Sequence, residues 1–257
     1  MNGEEKAMTT IGESDLLALL LKNADLRLVE PHIYSVLSDN ETGNTYDTQF
    51  GYIYDWVACN PIYNRLIWGY SVEIFTKIAD EALRSSTQGS VLDLGCGSLA
   101  FTAKTYIQYS ERPVVLVDQS LKMLRIAKSR LIKRNGRVPD NMVFLHADAL
   151  RLPFREESFQ TTISENLLHC LDDTSVLLNH LRNIPSKDGM MYFTTLVRGR
   201  RFADRYLESL AKGGKLVSRS IEDHRTIFAQ CGMSAKYDIN GNMASIYYDA
   251  RNQRTIG

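Results

Sequence analysis

The chain has 257 residues, 44% hydrophobic and 23% charged, and its 30 basic side chains balance 30 acidic ones. That length sustains one large domain, or one domain with an appendage, and buries roughly 70% of the unfolded surface. A net charge of zero removes any global pull toward nucleic acid or an anionic membrane, and no apolar run is long enough to span a bilayer.

The start, MNGEEKAMTT, is polar and lacks the basic-then-apolar pattern of a secretory signal. Cys59, Cys96, Cys170 and Cys231 lie far apart and form no CxxC. They predict reduced cytoplasmic thiols, with neither a metal cage nor a disulfide framework. The first ninety residues read as mainly helical. Ser14 is placed to cap a helix carrying Leu16, Leu17, Leu19, Leu20 and Leu21. Asp39 to Thr45 is a loop by composition, and a tyrosine-rich stretch follows from Tyr46 to Tyr54. Asn60-Pro61 opens a second helix that runs to about Leu83, since proline is tolerated in a first turn. Leu66, Tyr70, Ile74 and Ile78 keep helical spacing along it.

Beyond Gly89, strands and helices alternate. Strands are predicted at 91–94, 114–117, 142–145, 161–164 and 190–196. Helices are predicted around 100–109, 121–133, 174–183 and 221–231. This alternation predicts a parallel sheet covered on both faces. Ser220 to Asp223 has the form of a capping box, with Asp in the usual Glu position. Two further strand-like runs, 234–238 and 244–250, flank Asn240-Gly241, a hairpin signal that closes the sheet with an antiparallel pair.

The stretch VLDLGCGSLAFT, Val91 to Thr102, holds the first chemical signal. A strand ending in Gly95-Cys96-Gly97 before a helix lets backbone approach a ligand closely. Asp118 ends the next strand about 20 residues on, where an acid accepts from ribose hydroxyls. The glycine pattern alone also fits a dinucleotide enzyme. Asp93 and Asp148 narrow the choice. Asp93, two residues before Gly95, would repel a pyrophosphate but suits a ligand with a cationic amino group. Asp148, in HADAL, stands where it could accept from an adenine amine. Alternatively, Asp93 is only a satisfied acid at a strand end.

Together with VVLVDQSLKMLRIAKSR, VFLHADALRLPFREESFQTTISENLLHCL, SKDGMMYFTTLV and GNMASIYYDAR, that stretch resembles the class I S-adenosylmethionine-dependent methyltransferases, close to the ubiquinone/menaquinone-biosynthesis type and the small-molecule branch. The resemblance covers about Tyr46 to Ala250. It departs locally at Ser98-Leu99 and at Lys187-Asp188-Gly189, which lacks the usual proline and second glycine. It implies an α/β, Rossmann-like, seven-stranded and mostly parallel sheet with the last strand antiparallel, helices on both faces and a helical N-terminal cap. Residues 1–88 would form that extension and cap, and 89–257 the core.

The resemblance also implies S-adenosyl-L-methionine as cofactor, leaving as S-adenosyl-L-homocysteine. Gly95, Cys96 and Gly97 would lie beneath the methionine moiety, with Asp93 near its amino group. Asp118 and Gln119 would bind ribose, and Asp148 and Ala149 adenine. Ser164, Glu165 or Asn166 would line the transfer cleft. Tyr46 or Tyr54 would contact cofactor or acceptor, with a cation–π rationale beside a sulfonium. Cys96 reads as a small residue in a tight loop rather than a reactive thiol. His169, in ENLLHCL, is the candidate base or acceptor-positioning group, weighed evenly against a packing histidine. Arg198, Arg200, Arg201 and Arg205 read as a solvated helix face before an anion site. The expected partner is a small-molecule acceptor met by a monomer or homodimer, with neither nucleic acid nor membrane insertion. An NAD-type oxidoreductase, and a cofactor-binding protein without transfer activity, are the alternatives.

Overall fold

A computed structural model describes residues 12–22, 25–38, 60–109, 111–199, 201–214 and 216–253. The strands are β1 (Arg27–Glu30), β2 (Ile33–Ser35), β3 (Val91–Leu94), β4 (Val114–Asp118), β5 (Met142–His146), β6 (Phe159–Glu165), β7 (Pro185–Leu196), β8 (Ala235–Asn240) and β9 (Met243–Asp249). They form one sheet in the order β1-β2-β5-β4-β3-β6-β7-β9-β8. The six central strands, β2 to β7 in that order, are parallel, while β1, β9 and β8 pair antiparallel to their neighbours. The fold class is the expected one, with nine strands rather than seven. The extra pair comes from the N-terminal segment, which is therefore not purely helical. Its Arg27–Glu30 stretch turns back at His32, whose φ is 70°, and β2 docks on β5.

The helices are α1 (Glu13–Leu20), α2 (Glu73–Arg84), α3 (Ala103–Gln108), α4 (Leu121–Asn135), α5 (Thr174–Leu181), α6 (Arg201–Lys212) and α7 (Ile221–Gln230). The central strands read as apolar runs because both faces are covered. Alternate side chains enter opposite cores. Leu92, Leu94, Val115, Val117, Val143 and Leu145 pack with α1, α5 and α7. Val91, Val114, Leu116, Met142, Phe144 and Ile163 pack with α2, α3 and α4. Among the described residues no helix is long and apolar enough to cross a membrane.

Two local expectations are corrected. Ser14 lies inside α1, and Gly12 takes the N-cap position without a side-chain bond. The helix expected from Asn60 to about Leu83 is broken. Asn60 does cap it, accepting from the Ile62 and Tyr63 N–H groups. One turn, Pro61–Tyr63, then widens into a π-helical stretch, Asn64–Trp68, which Gly69 ends at φ 74°. Tyr70 turns inward and donates to Asn64 Oδ1 at 2.7 Å, and helix resumes only at Glu73. The capping box at Ser220 and Asp223 is formed in full.

The break has a partner in the β8–β9 hairpin. Asn242, at its tip, donates its N–H to Trp68 O at 2.8 Å and its amide to Val197 O and Asp204 Oδ1 at 2.8 and 3.0 Å. Gly241 beside it sits at φ 64°, and a Cβ there would collide with Trp68 O and lie 2.7 Å from Gly69 O. Gly241→Ala therefore meets both backbone strain and a clash with backbone that cannot move aside. A loss of about 2–4 kcal/mol is expected, read as a lower urea midpoint at unchanged slope.

Candidate functional site

The strand order reverses beside β3: its loop leads to β4 on one side, while β6 lies on the other. Such a switch point opens a crevice at the carboxyl ends of the strands, the ligand position of open α/β sheets. The glycine loop, the end of β4 and the end of β6 all meet there.

The loop is held by backbone. The Gly95 and Cys96 N–H groups both donate to Val117 O, at 2.8 and 2.9 Å. Gly97 N–H donates to Asp118 Oδ2 at 2.8 Å, and Ser120 N–H to Asp118 Oδ1 at 2.8 Å. Arg130 of α4 donates to the Ser98 carbonyl and hydroxyl. Gly97 has φ 55°, and a Cβ there would meet nothing within 4 Å among the described residues, so space opens beside it. Gly95 is confined by the Leu167 side chain at 3.3 Å. Burial, with Asp93 and Asp118 nearby, pushes the Cys96 thiol well above its usual range. It stays a thiol at neutral pH, unlike a reactive thiolate.

Asp93 is 4% exposed on β3, and Tyr106 of α3 donates to its Oδ2 at 2.8 Å. Glu165 ends β6 on the same face, because Asp93 is in register with Ile163 and Glu165 lies two residues further. Among the described residues Glu165 Oε1 is buried without a partner, as are Ser164 Oγ and Asn166 Oδ1. Asn166 holds φ 58°, and its N–H donates to Thr194 O at 2.9 Å. Among the described residues neither Asp93 nor Glu165 pairs with a lysine or arginine. Burial, and then the Asp118 charge, raise Asp93 to about 7 against the pull of Tyr106. Burial and Asp93 raise Glu165 well above the carboxylate range.

The other predicted positions that are described make contacts of their own. The exposed Gln119 gives its carbonyl to His146 Nε2 at 3.1 Å, and His146 Nδ1 meets Ser35 Oγ at 3.0 Å. Asp148 caps the short helix Ala149–Arg151, accepting from Leu150 N–H at 2.9 Å and Arg151 Nε at 3.0 Å. Tyr46 and Tyr54 lie outside the described residues. Arg198 pairs with Asp223 at 3.0 Å, and Arg205 is exposed on α6. Sequence reasoning missed Tyr106 and Arg130. Their only signal was that a buried acid and a tight loop each need a donor.

His169 lies on the short helix Leu168–Cys170 and is 3% exposed. Leu196 N–H donates to its Nδ1 at 3.2 Å, so Nε2 carries the proton, and Thr195 Oγ1 stands 3.2 Å from Nδ1. Burial, His224 and Arg219 push its pKa down to about 3. It is therefore neutral over the physiological range, whereas a general base works best near the working pH. His224 of α7 is fully buried, and both ring nitrogens lack a partner among the described residues.

The chain is similar to known proteins in sequence and in fold. Residues 91–189 match the family described as "Methyltransferase domain". A malonyl-[acyl-carrier protein] O-methyltransferase of Legionella pneumophila is 26% identical over 106 residues, 41% of this chain and 36% of that protein. A demethylmenaquinone methyltransferase of Streptomyces griseus is 28% identical over 138 residues, 53% of this chain and 56% of that protein. The chain thus spans about a third to just over half the length of the curated relatives it matches. In fold it is similar to a phosphoethanolamine N-methyltransferase of Haemonchus contortus solved with S-adenosyl-L-methionine. The TM-score is 0.60 at 15% identity, over 83% of this chain and 59% of that one. A geranyl diphosphate C-methyltransferase of Streptomyces coelicolor A3(2) gives 0.56 at 13% identity, over 72% and 89%.

Two outcomes follow from the buried ionisable groups. The raised Asp93 means the folded state binds a proton that the unfolded state has released at its ordinary value. Its contribution to stability is full below about pH 4 and is lost as pH rises toward about 7. Asp93→Asn removes that loss, so its stability relative to the parent should rise by on the order of 2–4 kcal/mol between about pH 4 and pH 8, measured by urea unfolding. His224 has the opposite sign. Its pKa is depressed to about 4, so stability is lost as pH falls below the unfolded value near 6.5. His224→Leu buries no orphaned nitrogen and should melt at or above the parent at neutral pH, with the gap widening toward about pH 5.

Proposed function

We infer that this protein, whose residues 91–189 match the family described as "Methyltransferase domain", is a class I S-adenosylmethionine-dependent enzyme that transfers a methyl group from that cofactor to a small-molecule acceptor. One observation carries the reading. Two acids, the buried Asp93 and the partly buried Glu165 whose Oε1 is enclosed, flank the glycine loop with no protein cation bonded to them among the described residues. That arrangement repels a pyrophosphate and attracts an ammonium. The rest of the donor set fits as well. Space opens beside Gly97, and Ser164 Oγ and Asn166 Oδ1 are buried acceptors in need of donors.

In this reading Asp93 and Glu165 take the amino group of the cofactor. Asp118 faces the ribose while it holds Gly97, and Asp148 with Ala149 borders the adenine. Gln119 lies beside the ribose, and Cys96 adds bulk under the methionine arm without charge. The bound cofactor supplies a methyl group already activated on a sulfonium. The protein's part is then to hold an acceptor in line, where positioning supplies most of the rate. His169, neutral and fixed by β7, suits positioning better than proton abstraction. Tyr46 or Tyr54 would complete the wall from the N-terminal segment. The free thiols of Cys96, Cys170 and Cys231 fit the reducing cytoplasm.

Calorimetry with S-adenosyl-L-methionine, S-adenosyl-L-homocysteine and NAD tests this. The first two should bind at micromolar affinity and NAD should not. Asp118→Ala, which removes a charged acceptor and loosens Gly97, should weaken binding about ten- to a hundredfold. Binding of NAD alone would overturn the reading in favour of an oxidoreductase.

A further inference from the structure

Asp93 and Glu165 project from neighbouring parallel strands onto one face, at the edge of the glycine loop. Each lacks what an ionised, buried carboxylate needs. Among the described residues Asp93 has a single donor, the Tyr106 hydroxyl at 2.8 Å, and Glu165 Oε1, the enclosed oxygen of a partly buried side chain, has none. The groups that face them are Tyr106 from α3, Cys96 from the loop and Asp118 from the end of β4. The phenol and the thiol are neutral at physiological pH, and the third is another acid. An enclosed carboxylate without a donor costs several kcal/mol, whereas the protonated form costs far less and offers a donor of its own. Two interacting acids of this kind titrate as a pair.

Resting on the methyl-transfer reading, we propose that Asp93 and Glu165 share a proton in the ligand-free site and release it to solvent when the ammonium of the cofactor's amino-acid arm docks against them. The exchange balances. One positive charge leaves as a proton and one arrives as an ammonium, so the buried site keeps its net charge. Burial and then the Asp118 charge raise Asp93 to about 7, and burial and then Asp93 raise Glu165, so the pair still holds a proton at neutral pH. The ammonium favours the ionised pair, and binding therefore tightens as pH rises toward neutrality.

The inference also predicts which part of the cofactor is sensed. The nucleoside and sulfur make no demand on the pair, and the amino-acid arm makes all of it. A free α-amino group titrates at about 7.7–8.0, so its own tendency on binding an acidic site is to take up a proton. Proton release therefore has the opposite sign and identifies the carboxyl pair as its source.

The test is calorimetry of the full chain at pH 7 in phosphate, imidazole and Tris buffers. The slope of observed heat against buffer ionisation enthalpy counts the protons. S-adenosyl-L-methionine should release about one proton, and 5′-methylthioadenosine, which lacks the amino-acid arm, about none. Glu165→Gln should bind the cofactor with release reduced severalfold. Cofactor binding with the same heat in every buffer overturns the inference and leaves the methyl-transfer reading standing. Equal release with 5′-methylthioadenosine, or full release from Glu165→Gln, overturns it too. Failure of the parent protein to bind S-adenosyl-L-methionine overturns both.

Discussion

The Asp118 carboxylate accepts the Gly97 N–H on one oxygen and the Ser120 N–H on the other. With that pair of bonds one side chain sets the shape of the glycine loop and the start of α4 together. Ser120 in turn caps α4 through Met123 N–H, and Arg130 reaches back from the same helix to Ser98. The loop is thus tied at both ends to an element that packs firmly on the sheet. Gly97 is free to leave its outer side open because its backbone conformation is already imposed. Preorganisation of this kind removes the ordering cost that a loop otherwise meets on binding.

Around that tie the sheet concentrates negative charge where its dielectric is low. Asp93, Asp118 and Glu165 end three adjacent strands, and the parallel register places Asp93 and Glu165 on one face. A fold selected for stability alone would put apolar residues at these ends, as it does one pleat earlier at Val91 and Ile163. The orphaned Ser164 Oγ and Asn166 Oδ1 and the left-handed Asn166 backbone extend the same departure onto β6. Strain and unsatisfied polar groups gathered at a switch point mark a place where the ligand, not the protein, completes the bonding.

The periphery is organised by backbone bonds at the far edge. Asn242, fully buried, joins Trp68, Val197 and Asp204. It thereby fastens the broken Pro61–Trp68 helix, the end of β7 and α6 to one hairpin tip. Trp68, Tyr70, Phe75, Leu196, Leu207 and Met243 form a third core around it, and Phe101 from beyond the glycine loop packs there too. Residues 63–75 and Phe101 therefore share one core with the end of β7, α6 and the hairpin, although they lie far apart in the chain.

The sequence by itself determined the parallel core, because strands covered on both faces must be apolar runs, and VLDL, VVLVD and MVFLH are such runs. It also determined that a hairpin closes between β8 and β9, and the Ser220 cap, since its two bonds close within one turn. The hairpin loop nevertheless falls one residue later than Asn-Gly, at Gly241-Asn242, with Asn240 still paired in β8. Asp93 was conspicuous for the same local reason, an acid in an apolar strand. Tertiary structure alone decided the rest. The β1–β2 pair exists because β5 offers it an edge, which four- and three-residue strands cannot announce. The helix expected through Tyr70 breaks because Gly69, Asn64 and the hairpin tip together satisfy the interrupted backbone. Tyr106 reaches Asp93, and Arg130 reaches Ser98, only once α3 and α4 have packed. Periodicity and turn chemistry are local properties and can be read along the chain. The partner of a buried charge is a property of packing, because the energy of leaving it unpaired is settled only when the protein has excluded water from it.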